Sequence, residues 1–489
     1  YDSASKAPDA GTSVVLTLDE NIQYIAEKEL AQAIQDTHAI SGTVIVENPN
    51  SGELLAVANW PTFNPNAVKD SPPDVRTDRA VSSLYEPGSV FKIVTLSAAI
   101  DQGIVKPSDI VDCQEGAIYI AGHRIRDHKA YGNLSVSQIL AYSSDVGAIK
   151  VGLRLGAPKF YDYIRAFGFG QSTGVDLPGE SRGMLRRLDN WTPVSVGSIS
   201  MGQEVGVTPL QMINAVSAIA NGGMIVRPHV VRALRHGTQL VEPQEPEPRR
   251  VIRATTAATM RSMMEGVVLD GTGKLARLDG YTTAGKTGTA QKFDTKTGHY
   301  FAHKLIASFV GFAPINTPAI TILVQLDSPV GPHDGGEVAA PVFQRIAQQV
   351  LPYLNVPRDV PLLDDLQRAS RKSATNQDLA EVSDFDPAQA DPGVASEDSV
   401  PPVAPGAAPP TVELAEGEGI PAPQFRGKTV REVTEECIQL GLNPVLVGTG
   451  IASDQSPEAG VMIPRGSRIT VQFARDVSLV LADDRRKIR

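Results

Sequence analysis

Residues 373–418 hold ten Asp or Glu, no Lys or Arg, and the run "VPPVAPGAAPP". A stretch so acidic and so rich in proline cannot bury enough apolar surface to offset the entropy of ordering it. Whatever folds in this chain must therefore fold as separate units on either side. The sequence divides into a large unit over 13–357, a disordered linker over 358–418, a small unit over 419–475 and a tail over 476–489. Residues 1–12 read as the end of a missing N-terminal region, because "YDSASKAPDA" shows neither an initiator Met nor a signal peptide. The formal net charge of −10 equals the charge of the acidic stretch, so the remainder sums to zero. That argues against a nucleic-acid surface, which needs clustered positive charge. No run of eighteen apolar residues occurs, so no segment of this sequence reads as a membrane-spanning helix. Cys113 and Cys437 fit neither a metal-ligand spacing nor a disulfide framework. His123 and His128, with Asp127 between, read as a solvated loop, so neither metal nor cofactor is expected.

The large unit alternates two periods. "DENIQYIAEKELAQAIQDT" places Ile22, Ile25, Leu30 and Ala33 on one helical stripe, with Asp19 as its cap. "TVIVENPNSGELLAVAN" gives two strands joined at Asn48–Gly52. From about residue 60 to 270 the pattern is mostly helical. Strands return around Lys286, at "LIASFVGFA" and at "AITILVQLD", and an amphipathic helix, "VAAPVFQRIAQQVLPYL", closes the unit. The simplest assembly is an α+β fold. A five-stranded antiparallel sheet carries the early and late helices on one face and the helical insertion on the other, with a site between. The small unit reads as one helix, about 428–441, followed by short strands.

"GYTTAGKTGTAQ", residues 280–291, spells two incompatible motifs. G-x-x-x-x-G-K-T is a phosphate-binding loop, but such a loop must feed a helix whose N-terminal amides hold the phosphate. Gly288 stands where that helix should begin, and turn residues and β-formers follow. Lys286 is therefore expected on a sheet strand, pointing into a cleft. The other pattern is K-T-G-T. In "YEPGSVFKIVTLSAAIDQG", Pro87 and Gly88 break the chain, and Ser89 starts an apolar helix that runs to Gly103. Ser89 and Lys92, three apart, share a helix face. A serine hydroxyl is a poor nucleophile until a base takes its proton, and a buried lysine can be that base. Singly, a capping serine near a surface lysine accounts for this pair. A polar turn between helices equally accounts for Ser143-Ser144-Asp145.

Together, Ser89-x-x-Lys92, Ser143-x-Asp145 and Lys286-Thr287-Gly288 stand in the order and approximate spacing of penicillin-recognising serine acyltransferases. "GSISMGQEVGVTPLQMINAVSAIANGG" and "AGKTGTAQK" resemble class B penicillin-binding proteins of the cell-division type, and the likeness covers residues 13–353. The small unit resembles a PASTA domain. The resemblance implies a penicillin-binding-protein/β-lactamase-like transpeptidase fold. It further implies a D,D-transpeptidase that cross-links peptidoglycan stem peptides, is acylated by β-lactams and works outside the membrane with membrane-anchored division machinery.

By the same resemblance Ser89 is the nucleophile, Lys92 its base, and Ser143, helped by Lys286, the relay to the leaving amine. Thr287, Gly288 and Thr289 bind the substrate, the two threonines holding its carboxylate, and the backbone N–H groups of Ser89 and Thr289 form the oxyanion hole. Asp145 departs from the Asn usual in the family: a carboxylate only accepts, and its charge favours the protonated lysine. A carboxypeptidase using water and a non-catalytic wall- or β-lactam-sensing receptor remain alternatives. A β-lactamase is disfavoured by the extra domain and by the want of a deacylating base.

Overall fold

The computed structural model describes residues 11–244, 246–294, 297–362, 419–440, 442–448, 451–464 and 467–474. They fall into two units, one within residues 1–386 and one within 387–489. The larger begins with helix α1 (Glu20–Thr37) and the hairpin β1 (Ser41–Glu47) and β2 (Leu54–Trp60). A helical region follows, with α2 (Lys92–Asp101), α3 (Val136–Tyr142), α4 (Asp145–Leu155), α5 (Pro209–Ala220) and α6 (Ala254–Leu269). The chain then returns to β3 (Ala284–Asp294), β4 (His299–Ala313) and β5 (Ile320–Asp327), and ends in α7 (Ala340–Tyr353).

The five strands form one antiparallel sheet, as expected, and the structure gives its order as β3-β4-β5-β1-β2. Side chains alternate across it. Val44, Val46, Phe309, Ile322 and Val324 belong to one core with Ile22 and Leu30 of α1 and Phe343 and Ile346 of α7. Phe309 and Phe343 meet at 4.9 Å between ring centroids, tilted by 63°, and each buried ring contributes about 2–3 kcal/mol. The intervening residues Ile45, Ile306, Val310, Phe312 and Leu323 join a second core with Met212, Ile213 and Val216 of α5 and Met260 and Met264 of α6. The side chain of Asp19 caps α1, accepting from the backbone N–H groups of Asn21 and Ile22. At the other end of the sheet β3 is an edge strand, with no strand paired to one of its sides among the described residues.

Residues 358–362, expected to open the linker, are instead held against this unit. Asp359 accepts from Thr282 N at 2.8 Å, and Val360 N donates to Gly280 O at 3.4 Å. The rest of the expected linker, the tail and residues 1–10 lie outside the described residues. In the smaller unit α8 (Val430–Gln439) precedes β6 (Asn443–Gly448), β7 (Ile451–Ser456) and β8 (Arg468–Ala474). β8 is central, parallel to β6 and antiparallel to β7. Its core is Phe425, Val433, Cys437, Ile469 and Val471.

Candidate active site

Ser89 lies in a 3-10 turn, Gly88–Phe91, and α2 begins only at Lys92. The expected single helix from Ser89 is thus split, because the turn is pinned by tertiary contacts. Gly88 N donates to Gly202 O at 3.1 Å. Gly202 has φ +85, and a Cβ there would lie 2.1 Å from Gly88 O, so no other residue fits that position without displacing the turn. From the sheet side β3 approaches as closely: a Cβ on Gly288 would lie 2.7 Å from Val90 Cγ2 and 3.1 Å from Pro87 O. Both glycines let backbone come to the serine from opposite sides.

The three-residue spacing brings Lys92 Nζ to 2.8 Å from Ser89 Oγ. Lys92 is completely buried, and its Nζ also reaches Ser143 O at 2.6 Å, Ser143 Oγ at 3.1 Å and Asp145 Oδ1 at 2.7 Å. Ser143 closes α3 in the left-handed conformation, φ 62 and ψ 36, which costs a non-glycine residue about 1–2 kcal/mol. That conformation sets its carbonyl on Lys92, while Ser144 caps α4 and places Asp145 in the first turn. From the sheet, Lys286 Nζ donates to Ser143 Oγ at 2.9 Å and to Thr287 O at 3.0 Å. Lys286 shares the sheet face of Gly288 and Val310, toward the helical region. Ser89, Lys92, Ser143, Asp145 and Lys286 therefore converge in the cleft between the sheet and the helical region.

The family model of the penicillin-binding-protein transpeptidase domain matches residues 42–348, a span that holds all five of these side chains. The chain belongs to this family. A second family model, that of the PASTA domain, matches residues 420–475. The chain is similar to stage V sporulation protein D of Bacillus subtilis, 37% identical over 356 residues, which is 71% of this chain and 55% of that protein. It is also similar to penicillin-binding protein PbpB of Mycobacterium tuberculosis, 37% identical over 361 residues, covering 71% and 53%. It thus spans about half the length of the curated relatives it matches. A crystal structure of penicillin binding protein 3 from Mycobacterium tuberculosis, complexed with aztreonam, superposes with a TM-score of 0.69 at 36% identity. That likeness covers 74% of this chain and 83% of the other.

The remaining expected site residues lie along β3, with Thr287 and Thr289 on the opposite parity from Lys286. Thr287 Oγ1 is 3.4 Å from Lys286 Nζ and 2.6 Å from Thr272 Oγ1. The Thr289 hydroxyl is turned elsewhere, donating to Asp334 Oδ1 at 3.4 Å and accepting from Gly335 N at 3.1 Å. Thr272, Asp334 and Gly335 escaped the sequence reading because isolated polar residues in loops carry no period or spacing. Since β3 runs unbroken from Ala284 through Lys286 to Asp294, no helix follows the lysine, which removes the phosphate-loop reading. Beside the serine's turn, a cavity of about 670 Å³ is lined by Tyr85, Glu86, Glu204, Gln291, Phe293 and Tyr300 among others.

Burial, and next the charge of Lys92, push Lys286 well below the usual lysine range, while Asp145 acts in the opposite sense. The depressed value has a stability consequence. Between the folded-state value and the ordinary 10.5, the unfolded chain binds a proton that the native state does not, so stability rises with pH in that window. Its cost is present in full at lower pH. Lys286→Met is therefore expected to raise the melting temperature near neutral pH by about 2–4 °C, with the gain shrinking toward pH 10.5. Melting curves across pH check this; a gain that stays constant would place the cause in packing rather than charge.

Proposed function

We propose that the chain is the catalytic part of a peptidoglycan D,D-transpeptidase, acting on stem peptides ending in D-Ala-D-Ala. The observation that supports it most is the Lys92 nitrogen 2.8 Å from Ser89 Oγ with two further acceptors fixed around it. As a neutral amine Lys92 directs its two N–H groups to Ser143 O and Asp145 Oδ1, leaving its lone pair for the Ser89 hydroxyl proton. Ser89 Oγ then attacks the carbonyl between the two D-alanines, and the resulting oxyanion is met by the N–H groups of Ser89 and Thr289, each such donor lowering the barrier by about 3 kcal/mol. Ser143, bridging Lys92 and Lys286, passes a proton to the departing D-Ala nitrogen as the C–N bond breaks and recovers it from Lys92. An amine from a second stem peptide attacks the ester, forms the new amide and returns the proton to Ser89 Oγ.

The open edge of β3 suits a substrate laid alongside as an added strand. The hydroxyls of Thr287 and Thr289 take the terminal carboxylate, which for Thr289 replaces Asp334 as acceptor. β-Lactams resemble D-Ala-D-Ala and stop at the acyl stage. The setting is septal wall synthesis on the outer face of the membrane, beside membrane-anchored division proteins.

The test offers a D-Ala-D-Ala thioester donor with and without a D-amino-acid acceptor. Incorporation of the acceptor with a long-lived penicillin adduct is expected. Release of free acid alone would make the protein a carboxypeptidase, and no adduct at all would make it a receptor.

The carboxylate at 145 has its own expected effect. Asp145 Oδ1 pairs with Lys92 at 2.7 Å; an amide oxygen there can still accept, but without the charge that favours the ammonium form. Asp145→Asn is expected to speed penicillin acylation severalfold, about 3–10-fold on the acid side, and little at high pH. A mutant unchanged or slower throughout the range would show that the cleft depends on the charge itself.

A further inference from the structure

Asp127 lies in the loop after the strand His123–Arg126, eighteen residues before Asp145, and its half-buried carboxylate serves the start of α4. Oδ1 accepts from Asp145 N at 2.5 Å and Val146 N at 3.0 Å, and Oδ2 accepts from the Ser144 hydroxyl at 2.7 Å. Ser144 Oγ in turn accepts from Gly147 N at 2.9 Å. The first three amides of α4 are thus all satisfied, two by Asp127 and one by the serine that Asp127 holds. The loop is tied down again at Tyr131, whose ring stacks on that of Tyr142 at 6.0 Å, the residue before Ser143.

We infer that Asp127 is the positioning residue that keeps the Asp145 carboxylate on Lys92, an inference that rests on the acyl-transfer reading of the site. An acidic side chain in the first turn of a helix is drawn to that helix's own free N–H groups and to the positive end of its dipole. Asp145 occupies that position, yet its carboxylate lies on Lys92 Nζ instead. Asp127 makes this possible by occupying the amides that would otherwise compete. Without it, Asp145 turns back to cap its own helix, the Ser143 turn loses its support, and Lys92 loses one of the acceptors that aim its lone pair at Ser89. The acyl step suffers; the space in which penicillin first docks does not.

The test measures noncovalent penicillin binding and the acylation rate constant separately in Asp127→Ala and Asp127→Asn. Charge-assisted hydrogen bonds of this kind correspond to about tenfold in rate. At high pH, where the charge of Asp145 has little bearing on the rate, Asp127→Ala is therefore expected to acylate about tenfold more slowly, with docking affinity within about twofold of the parent. Asp127→Asn, whose amide oxygen can still accept from both N–H groups, should recover most of the rate. Parent-like acylation in the alanine variant, an asparagine variant as slow as alanine, or affinity and rate falling together would each overturn the inference. If the parent itself takes no penicillin, the acyl-transfer reading fails, and amide exchange decides the positioning alone. Slow exchange at Asp145 and Val146 that is lost in Asp127→Ala upholds it, and unchanged exchange overturns it.

Discussion

Ser89→Ala is expected to abolish covalent labelling by fluorescent penicillin and to leave the fold intact. The substitution removes one half-buried hydroxyl whose recorded partner is Lys92 Nζ. That nitrogen retains Ser143 O, Ser143 Oγ and Asp145 Oδ1, so the buried lysine is not left unpaired. The stability change is therefore about 1 kcal/mol or less. Reactivity behaves differently, because the other hydroxyl on Lys92 Nζ among the described residues, that of Ser143, is placed otherwise. Ser143 Oγ lies between two lysines but belongs to a residue whose carbonyl is fixed on Lys92, and its turn is held by the end of α3. Intact-mass measurement after incubation with penicillin reads the outcome directly. An adduct of full occupancy on the alanine variant, with an unchanged melting temperature, would relocate the nucleophile and dissolve the proposed mechanism.

The pieces that declared themselves in the sequence did so through period or through fixed spacing. "TVIVENPNSGELLAVAN" announces the β1–β2 hairpin as two apolar runs around Asn48–Gly52, and Asp19 announces α1 because a short acidic residue before an apolar stripe is a cap. Ser89, Lys92 and Lys286 were conspicuous because their chemistry needs particular neighbours. Asp127 and Thr272 were not, since each acts on a residue at least fifteen positions away through hydrogen bonds that leave no local pattern. The break between the Ser89 turn and α2 was equally hidden. The apolar period runs through it, while its cause, the close approach of Gly202 and Gly288, is a tertiary contact. Residues 358–362 read as linker by composition, yet Asp359 finds Thr282 across the unit.

Lys92→Ala is expected to slow acylation by at least about 100-fold, the contribution typical of a general base. The residual rate depends on what the remaining groups then do. Removal of Lys92 deletes one of the two causes that depress Lys286, leaving burial, and it frees Asp145, whose charge favours the ammonium form of Lys286. Lys286 should therefore move back toward the ordinary lysine range and be found less often as the neutral amine. Nor is it within reach of the nucleophile directly: its nitrogen bonds Ser143 Oγ, and only through that hydroxyl could it serve Ser89. The variant should thus show both a low plateau and an acylation rate that climbs only at higher pH than the parent's. Stopped-flow acylation from pH 5 to 10 separates the possibilities. A rate within tenfold of the parent, with an unmoved pH profile, would assign the base to Lys286 acting through Ser143 and reduce Lys92 to a structural cation paired with Asp145.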